Sequence, residues 1–404
     1  MESPIRPPTL GLATASASIF VSFPSSSQPN STVAIAGGGI AGLAAGIALA
    51  RAGHDVRIFE QAQELAEIGA GLQLAPNALK ALAWLGVMPA LERSLFHPRA
   101  IEVRDGLRGD VLATLPLETM RERHGAAYAT IHRADLLATL IEGARAMPSI
   151  RFTTGARLEA AEQLERPLLQ FGSGETVEVD ALVGADGIHS TVRRTVLDDG
   201  PPQEHDETIW RALLPLSEVP AASADAICLW LLPGGHVVHY PVRAGALLNI
   251  VAVSTAGGEA PDMRCPIHPV LADIIYAPSS WLRWPSLDRD PSPARGRAAT
   301  VLIGDAAHPA LPYLAQGAAM ALEDAVTLGE AVSTHRTFEA AFRAFEAMRE
   351  ARTTRIVRAA RRQGRIDHLD KPWSVARNLA IRALPHSLLH RRLDWIFRWQ
   401  PGAR

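Results

Sequence analysis

The segment from Thr32 to Glu60, TVAIAGGGIAGLAAGIALARAGHDVRIFE, limits the possible folds more than any other part of the chain. A short apolar strand leads into a turn with glycines in GxGxxG spacing, and a helix and a second strand follow. This order predicts a βαβ unit that binds a dinucleotide, because glycine backbone and a helix N-terminus together suit a pyrophosphate. Glycine-rich turns also arise for packing alone, but here strand, glycines, helix, second strand and acid all occur in register.

Each residue of this fingerprint has its own predicted task. Gly37 permits the tight turn, Gly39 lets the backbone approach the pyrophosphate, and Gly42 lets the helix pack closely on the strand. Glu60 is placed to accept hydrogen bonds from both hydroxyls of an adenosine ribose, where a 2′-phosphate would be repelled. The segment therefore predicts a dinucleotide site without specifying the dinucleotide.

Composition favours a globular enzyme over a nucleic-acid or membrane protein. The 404 residues are 48% hydrophobic, and the net charge of −2 gives no field that would recruit nucleic acid or an anionic membrane. No apolar run is long enough to cross a bilayer. Cys228 and Cys265 are the only cysteines, and they lack CxxC spacing. We therefore expect no structural disulfide and no cysteine zinc site. We therefore expect a cytoplasmic protein without a metal, with residues 1–31 as a disordered leader.

Hydrophobic patterns along the rest of the chain alternate between strand and helix. PNALKALAWLGVMPALERS and HRADLLATLIEGARA read as helices, and RAIEVRD with DVLATLPL reads as a hairpin. The region from Ile150 to Val183 predicts a small β-meander, and residues 205–290 predict further strands with no helical period. From Ala318 onward the pattern is helical, and the Arg-rich run Arg343–Arg365, interleaved with glutamates, predicts a solvated helix face.

Two later motifs narrow the choice of dinucleotide. ALVGADGIHSTVRR contains Asp186, Gly187 and Arg193, and VLIGDAAHPALPYLAQGAAMALEDA contains Gly304 and Asp305. Each motif alone could be a turn. There is no second GxGxxG, so the chain is expected to hold one dinucleotide tightly and to meet any second redox partner only transiently.

In this order the three motifs resemble the single-component (group A) FAD-dependent aromatic hydroxylases. Within this family, the salicylate, 3-hydroxybenzoate and 6-hydroxynicotinate hydroxylase branch is most similar in four sequence segments: IGAGLQLAPNA, HRADLL, GDAAHPALPYLAQGAAMALEDA and LDWIFRWQP. The resemblance runs from about Thr32 to about Pro401. It implies an α/β fold in which a Rossmann-type FAD-binding domain is interrupted by a mostly antiparallel β substrate domain, with C-terminal helices.

The resemblance also implies domain boundaries. The FAD-binding domain would comprise 32–98, 127–204 and 291–370. The substrate domain would comprise 99–126 and 205–290, and 371–404 would form a C-terminal helical segment.

Cofactor roles carry over by motif. The resemblance implies that Gly37, Gly39 and Gly42 line the FAD pyrophosphate and that Glu60 holds the adenosine ribose. It further implies that Arg133 reaches the flavin side, that Asp305 bonds the ribityl chain, and that the loop from Pro312 to Gly317 cradles the isoalloxazine. Asp186 belongs to the motif associated with FAD pyrophosphate and NAD(P)H. This loop, PYLAQG, is bulkier than the glycine loop of many relatives.

HVVHYPV provides the candidate catalytic residues. In a strand, His236, Val238 and Tyr240 share one face and His239 points to the other. A strand histidine and tyrosine can be core residues only, but the same His-x-x-x-Tyr spacing occurs in the resembled hydroxylases, and Gln316 matches a substrate-side position there. His236 would be the base that ionises a phenol and Tyr240 its hydrogen-bond partner. His308 is expected to shape the loop.

The resemblance implies a monooxygenase with non-covalently bound FAD that uses NADH or NADPH and O₂ to hydroxylate a small aromatic acid. Oxygen transfer would proceed through a C4a-hydroperoxyflavin, with or without loss of the carboxylate. The chain would act as a monomer or homodimer. Two alternatives stay open: a flavin dehydrogenase or reductase that inserts no oxygen, and a non-catalytic flavoprotein that acts as a redox sensor or binding partner.

Overall fold

The computed structural model describes residues 31–65, 70–219, 224–255, 260–263, 265–292 and 296–402. Apart from Ser31, the expected leader lies outside the described residues. Short 3₁₀ turns occur at Leu216–Glu218, Gly304–Ala306 and Pro312–Leu314. The strands, in chain order, are β1 (Thr32–Ala36), β2 (Asp55–Phe59), β3 (Gly71–Leu74), β4 (Ala100–Asp105), β5 (Val111–Pro116), β6 (Ala129–His132), β7 (Ile150–Thr153), β8 (Leu158–Gln163), β9 (Pro167–Phe171), β10 (Thr176–Glu178), β11 (Ala181–Gly184), β12 (Gln203–Pro215), β13 (Ala226–Leu232), β14 (Gly235–Val242), β15 (Leu247–Ser254), β16 (Leu282–Asp288), β17 (Gly296–Arg297) and β18 (Thr300–Leu302).

Helices surround these strands and dominate the C-terminal part of the chain. Among the described residues, no helix is both long and apolar enough to span a bilayer. The helices, in chain order, are α1 (Ile40–Arg51), α2 (Pro76–Trp84), α3 (Met88–Leu91), α4 (Met120–His124), α5 (Arg133–Arg145), α6 (Thr191–Leu197), α7 (Pro269–Tyr276), α8 (Gly317–Thr334), α9 (Phe338–Asp367), α10 (Trp373–Ala383) and α11 (His386–Phe397).

The first of the two large sheets has six strands in the order β17-β18-β11-β1-β2-β7. All neighbours are parallel except the edge pair β17–β18. Strands β1 and β11 are almost wholly apolar and buried, as expected for a parallel sheet whose faces are both covered. Helices α1, α5 and α8 pack into the largest hydrophobic core, which joins this sheet to the C-terminal helices.

The second large sheet has seven strands in the order β16-β12-β15-β14-β13-β4-β5, and only β13–β4 is a parallel pair. One face carries a separate apolar core that includes Trp210 and Trp230 and is covered by α7. The other face carries His236, Val238 and Tyr240, which line a cavity. The predicted α/β fold, with a mostly antiparallel β part and C-terminal helices, is confirmed.

Three local predictions are wrong. The helix predicted from PNALKALAWLGVMPALERS is broken into α2 and α3, because Gly86 adopts a φ of +80° between them. Within the meander predicted from Ile150 to Val183, only β8, β9 and β10 form one sheet, and β7 and β11 belong to the parallel sheet. The prediction failed because apolar alternation indicates a strand but does not indicate the sheet to which the strand belongs. Residues 205–290 do contain a helix, α7, which begins with Pro269 after the capping side chain of His268.

Candidate active site

A cavity of about 960 Å³ extends from the C-terminal end of β1 to the inner face of β14. It contacts both large sheets and the N-termini of α1 and α8. Every sequence-predicted site residue except Gly42 lines it, namely Gly37, Gly39, Glu60, Arg133, Asp186, Asp305, Pro312, Gly317, His236, Tyr240 and Gln316.

The glycine turn fits a phosphate group. Gly37 has a φ of +105°, and a Cβ on Gly42 would lie 1.9 Å from the Gly37 carbonyl oxygen, so both positions require glycine. A Cβ on Gly39 would meet nothing within 4 Å, which leaves its surface open to the cavity. Gly39 caps α1 without a side-chain hydrogen bond, and no acid lies in the first turn. The helix N-terminus can therefore receive an anion.

Glu60 lies at the end of β2 on the cavity wall. Its Oε2 accepts a hydrogen bond from the Gly38 N–H at 2.7 Å, and its Oε1 accepts one from the Ala62 N–H at 2.9 Å. These backbone bonds fix the carboxylate beside the glycine turn. Because a carboxylate has about four acceptor positions, it can also bind ribose hydroxyls in this orientation.

The Asp186 motif connects the glycine turn to the Gly304–Asp305 turn. The Asp186 carboxylate accepts hydrogen bonds from the Ser190 hydroxyl at 2.5 Å and the Thr191 N–H at 2.7 Å, and so holds Ser190, the N-cap residue of α6. Burial raises its pKa, and these hydrogen bonds oppose that shift. Arg193, which is buried, donates from Nη1 to the carbonyl of Ala307 at 2.8 Å. Asp186 thus shapes the cavity wall through local bonds.

A buried ion cluster, defined here as Glu323, Asp324, Arg349, Arg352 and His308, holds α8 behind the cavity. Arg349 contacts Glu323 and Asp324, each at 2.7 Å, and Arg352 contacts Glu323 at 2.7 Å. Asp324 also accepts from the Gly304 N–H at 2.9 Å and pairs with His308 at 2.5 Å. Burial favours a higher pKa for the Asp324 carboxyl, but the Arg349 guanidinium and the hydrogen bonds from His308 and Gly304 hold it below its usual range.

The interpretation of Arg343–Arg365 as a solvated helix face is therefore wrong at Arg349, which is 1% exposed. A charge run on a helix does not reveal which arginine meets an acid on a neighbouring helix. His308, a member of the ion cluster, is absent from the cavity wall, and its role in shaping the loop stays a prediction.

The end of the cavity at α8 carries both charge and hydrogen-bonding groups. The Asp305 side chain is exposed to the cavity, and desolvation by the surrounding protein raises its pKa, while His308 and Arg133 oppose that shift. Gln316 is 3% exposed, and its Oε1 accepts a hydrogen bond from Nδ2 of Asn77 at 2.9 Å. Pro312 begins the preceding 3₁₀ turn, and Ala315, the residue that follows the turn, has a φ of +51°. α8 has no side-chain N-cap, so its first N–H groups are open to a ligand.

The opposite end of the cavity is the inner face of the second sheet. The predicted strand over HVVHYPV is confirmed as β14, and His239 points to the other face, where its ring lies 6.4 Å from Trp230. Burial lowers the pKa of His236 to about 3 and raises that of Tyr240 to about 12. Gly71 allows Tyr240 to approach closely, because a Cβ there would lie 2.7 Å from the Tyr240 ring.

Arg211 is a site residue that the sequence reasoning missed. It lies on β12, half-buried, and lines the cavity on the same face as Tyr240, whose pKa its charge lowers. Asn77 was missed as well, although it positions Gln316. The pattern of β12 offers only a weak signal for Arg211: a cation in an otherwise apolar stretch, WRALLP. Among the described residues, no group of His, Cys, Asp or Glu is arranged to hold a metal ion.

Comparison with known proteins agrees with this geometry. Residues 30–244 match the family model for an FAD binding domain. The chain is 35% identical to a 3-hydroxybenzoate 6-hydroxylase of Polaromonas naphthalenivorans, over 92% of this chain and 96% of that one. It is 34% identical to a 6-hydroxynicotinate 3-monooxygenase of Pseudomonas fluorescens, over 81% and 89% of the two chains.

A solved structure gives the same picture. HpxO of Klebsiella pneumoniae, complexed with FAD and uric acid, superposes with a TM-score of 0.82 at 26% identity, covering 91% of this chain and 96% of that one. The open glycine turn, the fixed Glu60 carboxylate and the two uncapped helix N-termini fit FAD. The chain therefore belongs to the FAD-binding-domain family, within the branch of single-component aromatic hydroxylases, and is an FAD-dependent monooxygenase.

Proposed function

We propose that this monooxygenase hydroxylates a small phenolic acid, either a hydroxybenzoate or a hydroxypyridine carboxylate, using NADH or NADPH and O₂. The observation that carries the proposal is the continuity of one cavity. It joins the glycine turn and Glu60 to a sheet face that carries His236, Tyr240 and Arg211. A cation for a carboxylate and a base for a phenol therefore lie in the same space as the cofactor site.

At the cofactor end, Gly37 and Gly39 would face the pyrophosphate and Glu60 the adenosine ribose. Asp305 and the backbone at Gly317 would contact the ribityl chain and the ring system. When bound, FAD supplies the redox and oxygen chemistry. The protein supplies binding, orientation and exclusion of water.

At the substrate end, Arg211 would bind the carboxylate through charge-assisted hydrogen bonds. His236 would take the phenolic proton, because a phenolate is a far better nucleophile towards an electrophilic oxygen than a phenol is. Tyr240, whose pKa is raised to about 12, stays protonated at neutral pH and can donate a hydrogen bond to the phenolate. Gln316, held by Asn77, would orient the ring.

A substrate panel tests the proposal. Hydroxybenzoates and hydroxypyridine carboxylates are added one at a time to the FAD-loaded enzyme, and NADH or NADPH oxidation and hydroxylated product are measured. Benzoate is the matched control, since it carries the carboxylate without the phenol. We expect a phenolic acid to stimulate oxidation and to be hydroxylated, while benzoate yields no product. The proposal would be overturned if no phenolic acid stimulated NADH or NADPH oxidation and none was hydroxylated. Stimulated oxidation that reduces an electron acceptor, without any oxygenated product, would favour a flavin reductase.

A further inference from the structure

A chain of hydrogen bonds leads away from the cavity through two histidines and a glutamate. Nδ1 of His236 lies 2.8 Å from Nε2 of His368, and Nδ1 of His368 lies 2.8 Å from Oε1 of Glu207. His236 is 5% exposed, whereas the side chains of His368 and Glu207 are 10% and 21% exposed. Solvent access therefore rises along the chain, from the cavity wall to the carboxylate.

Separate elements of the fold bring these groups together. His236 is on β14, and His368 is the C-cap residue of α9, where its N–H donates to the Gly364 carbonyl at 3.0 Å. Glu207 falls where the pairing of β12 with β16 shifts register, a bulge of the kind that redirects side chains. The Tyr313 hydroxyl donates to the other carboxylate oxygen of Glu207.

We propose that His236, His368 and Glu207 form a proton relay that carries the phenolic proton of the substrate from the cavity to solvent. The relay rests on the proposed function, because its proton comes from a phenol. With Nδ1 of His236 engaged by His368, Nε2 is the ring nitrogen that meets a ligand in the cavity.

The transfer balances in three steps. Nε2 of His236 takes the proton as the substrate O–H bond breaks, and the electron pair stays on the phenolate oxygen. His236 then gives its Nδ1 proton to Nε2 of His368. His368 gives its own Nδ1 proton to Glu207, from which water removes it, so one proton leaves the site and the negative charge stays on the substrate.

Electrostatics explain why the base needs a relay. Burial lowers the pKa of His236 to about 3, the charge of Arg377 acts in the same direction, and the carboxylate of Glu207 opposes the shift. A proton taken from a phenol therefore cannot remain on His236 at neutral pH. Burial favours a higher pKa for the Glu207 carboxyl, but hydrogen bonds from His368 and Tyr313 hold this pKa below the usual range. Glu207 is therefore an anion beside His368, and it stabilises a proton that arrives there.

Three further charged or titratable groups face the relay. His205 acts on Glu207 through its charge and lowers the pKa of that carboxyl. Asp367 lies next to His368, and burial raises its pKa to about 6, so it is largely ionised above that pH. Arg377, on α10, donates to the carbonyl of Ile366 at 3.3 Å, and its charge lowers the pKa of His236.

The same bonds could serve only to anchor α9 on the sheet, so the test must separate proton transfer from folding. The variants are His368→Gln and Glu207→Gln, which keep a hydrogen-bonding amide but remove the titratable group. Matched controls are His335→Gln, at the exposed C-cap of α8, and Glu204→Gln, exposed on β12. The probe is 3-hydroxybenzoate mixed rapidly with FAD-loaded enzyme, with the ultraviolet absorbance of the bound phenolate followed over time.

We expect phenolate formation to slow by about 100-fold or more in both relay variants, within the range of general acid–base catalysis. FAD retention and the affinity for 3-methoxybenzoate, which has no phenolic proton, should be unchanged, and the controls should resemble the parent enzyme. Added imidazole should restore the rate in His368→Ala. Unchanged phenolate formation in both variants, or parallel loss of FAD and 3-methoxybenzoate binding, would overturn the relay.

Failure of the proposed function would look different, because no phenolic acid would bind or stimulate NADH oxidation. In that case ¹⁵N spectra of the histidines still test the relay without a ligand. The relay requires His236 and His368 to carry their protons on Nδ1 in the resting protein. Observation of the Nε2-protonated tautomer at either residue would refute it.

Discussion

Replacement of Arg211 by methionine should weaken the binding of an aromatic acid far more than the binding of its uncharged amide. Arg211 is half-buried and lines the cavity near Tyr240. Two unit charges about 4 Å apart attract by about 4 kcal/mol at an effective dielectric constant near 20. After desolvation, a hydrogen bond to a charged group retains about 1.5–3 kcal/mol. This range corresponds to a loss of about 10- to 150-fold in affinity.

The assay compares two ligands of nearly the same shape, 3-hydroxybenzoate and 3-hydroxybenzamide, by the change in flavin absorbance on binding to the FAD-loaded enzyme. Arg108→Met is the control, because the Arg108 side chain is 73% exposed and absent from the cavity wall. We expect Arg211→Met to bind 3-hydroxybenzoate more weakly than the parent enzyme does and to bind 3-hydroxybenzamide with unchanged affinity. An equal loss for acid and amide, or no loss for either, would refute the assignment of Arg211 as the carboxylate anchor.

Three further predictions concern the cofactor site and stability. Arg349→Leu should cost about 3–5 kcal/mol of unfolding free energy in urea titrations, because it strands the buried carboxylates of Glu323 and Asp324. Glu60→Ala should weaken FAD retention in gel filtration, because Glu60 is the proposed acceptor for the ribose hydroxyls. Burial raises the pKa of Asp367 to about 6. Its protonated form therefore stabilises the fold near pH 4, and that contribution, about 3 kcal/mol, is lost as the pH rises through 6. Asp367→Asn should remove this loss, measured by urea titration at several pH values.

The parts of the fold that could be predicted from sequence depend on local patterns. The fingerprint from β1 to Glu60 specifies a strand, a turn and a helix through residues that are neighbours in the chain, so short-range sterics determine its form. The face of β14 that carries His236 and Tyr240 likewise follows from the two-residue period of a strand. The domain boundaries and the roles of the site residues stay predictions.

The remaining features depend on contacts between distant parts of the chain. In the sequence, nothing distinguishes Arg349 from the other arginines of α9. Its buried ion pair with Glu323 depends on the packing of α9 against α8. His368 and Glu207 lie 161 residues apart, and no spacing rule connects a helix C-cap to a strand bulge. The place of Arg211 could not be predicted for a similar reason, because the sequence pattern of β12 does not show which face of the strand lines the cavity.

Isotope labelling distinguishes a monooxygenase from a dehydrogenase or reductase, because only a monooxygenase transfers an atom of O₂ to its substrate. The FAD-loaded enzyme is supplied with ¹⁸O₂, NADH or NADPH, and the phenolic acid that best stimulates oxidation, and the product is analysed by mass spectrometry. We expect the product to carry a new ring hydroxyl that contains one atom of ¹⁸O. An oxidised product without ¹⁸O, or label that comes from water, would contradict it.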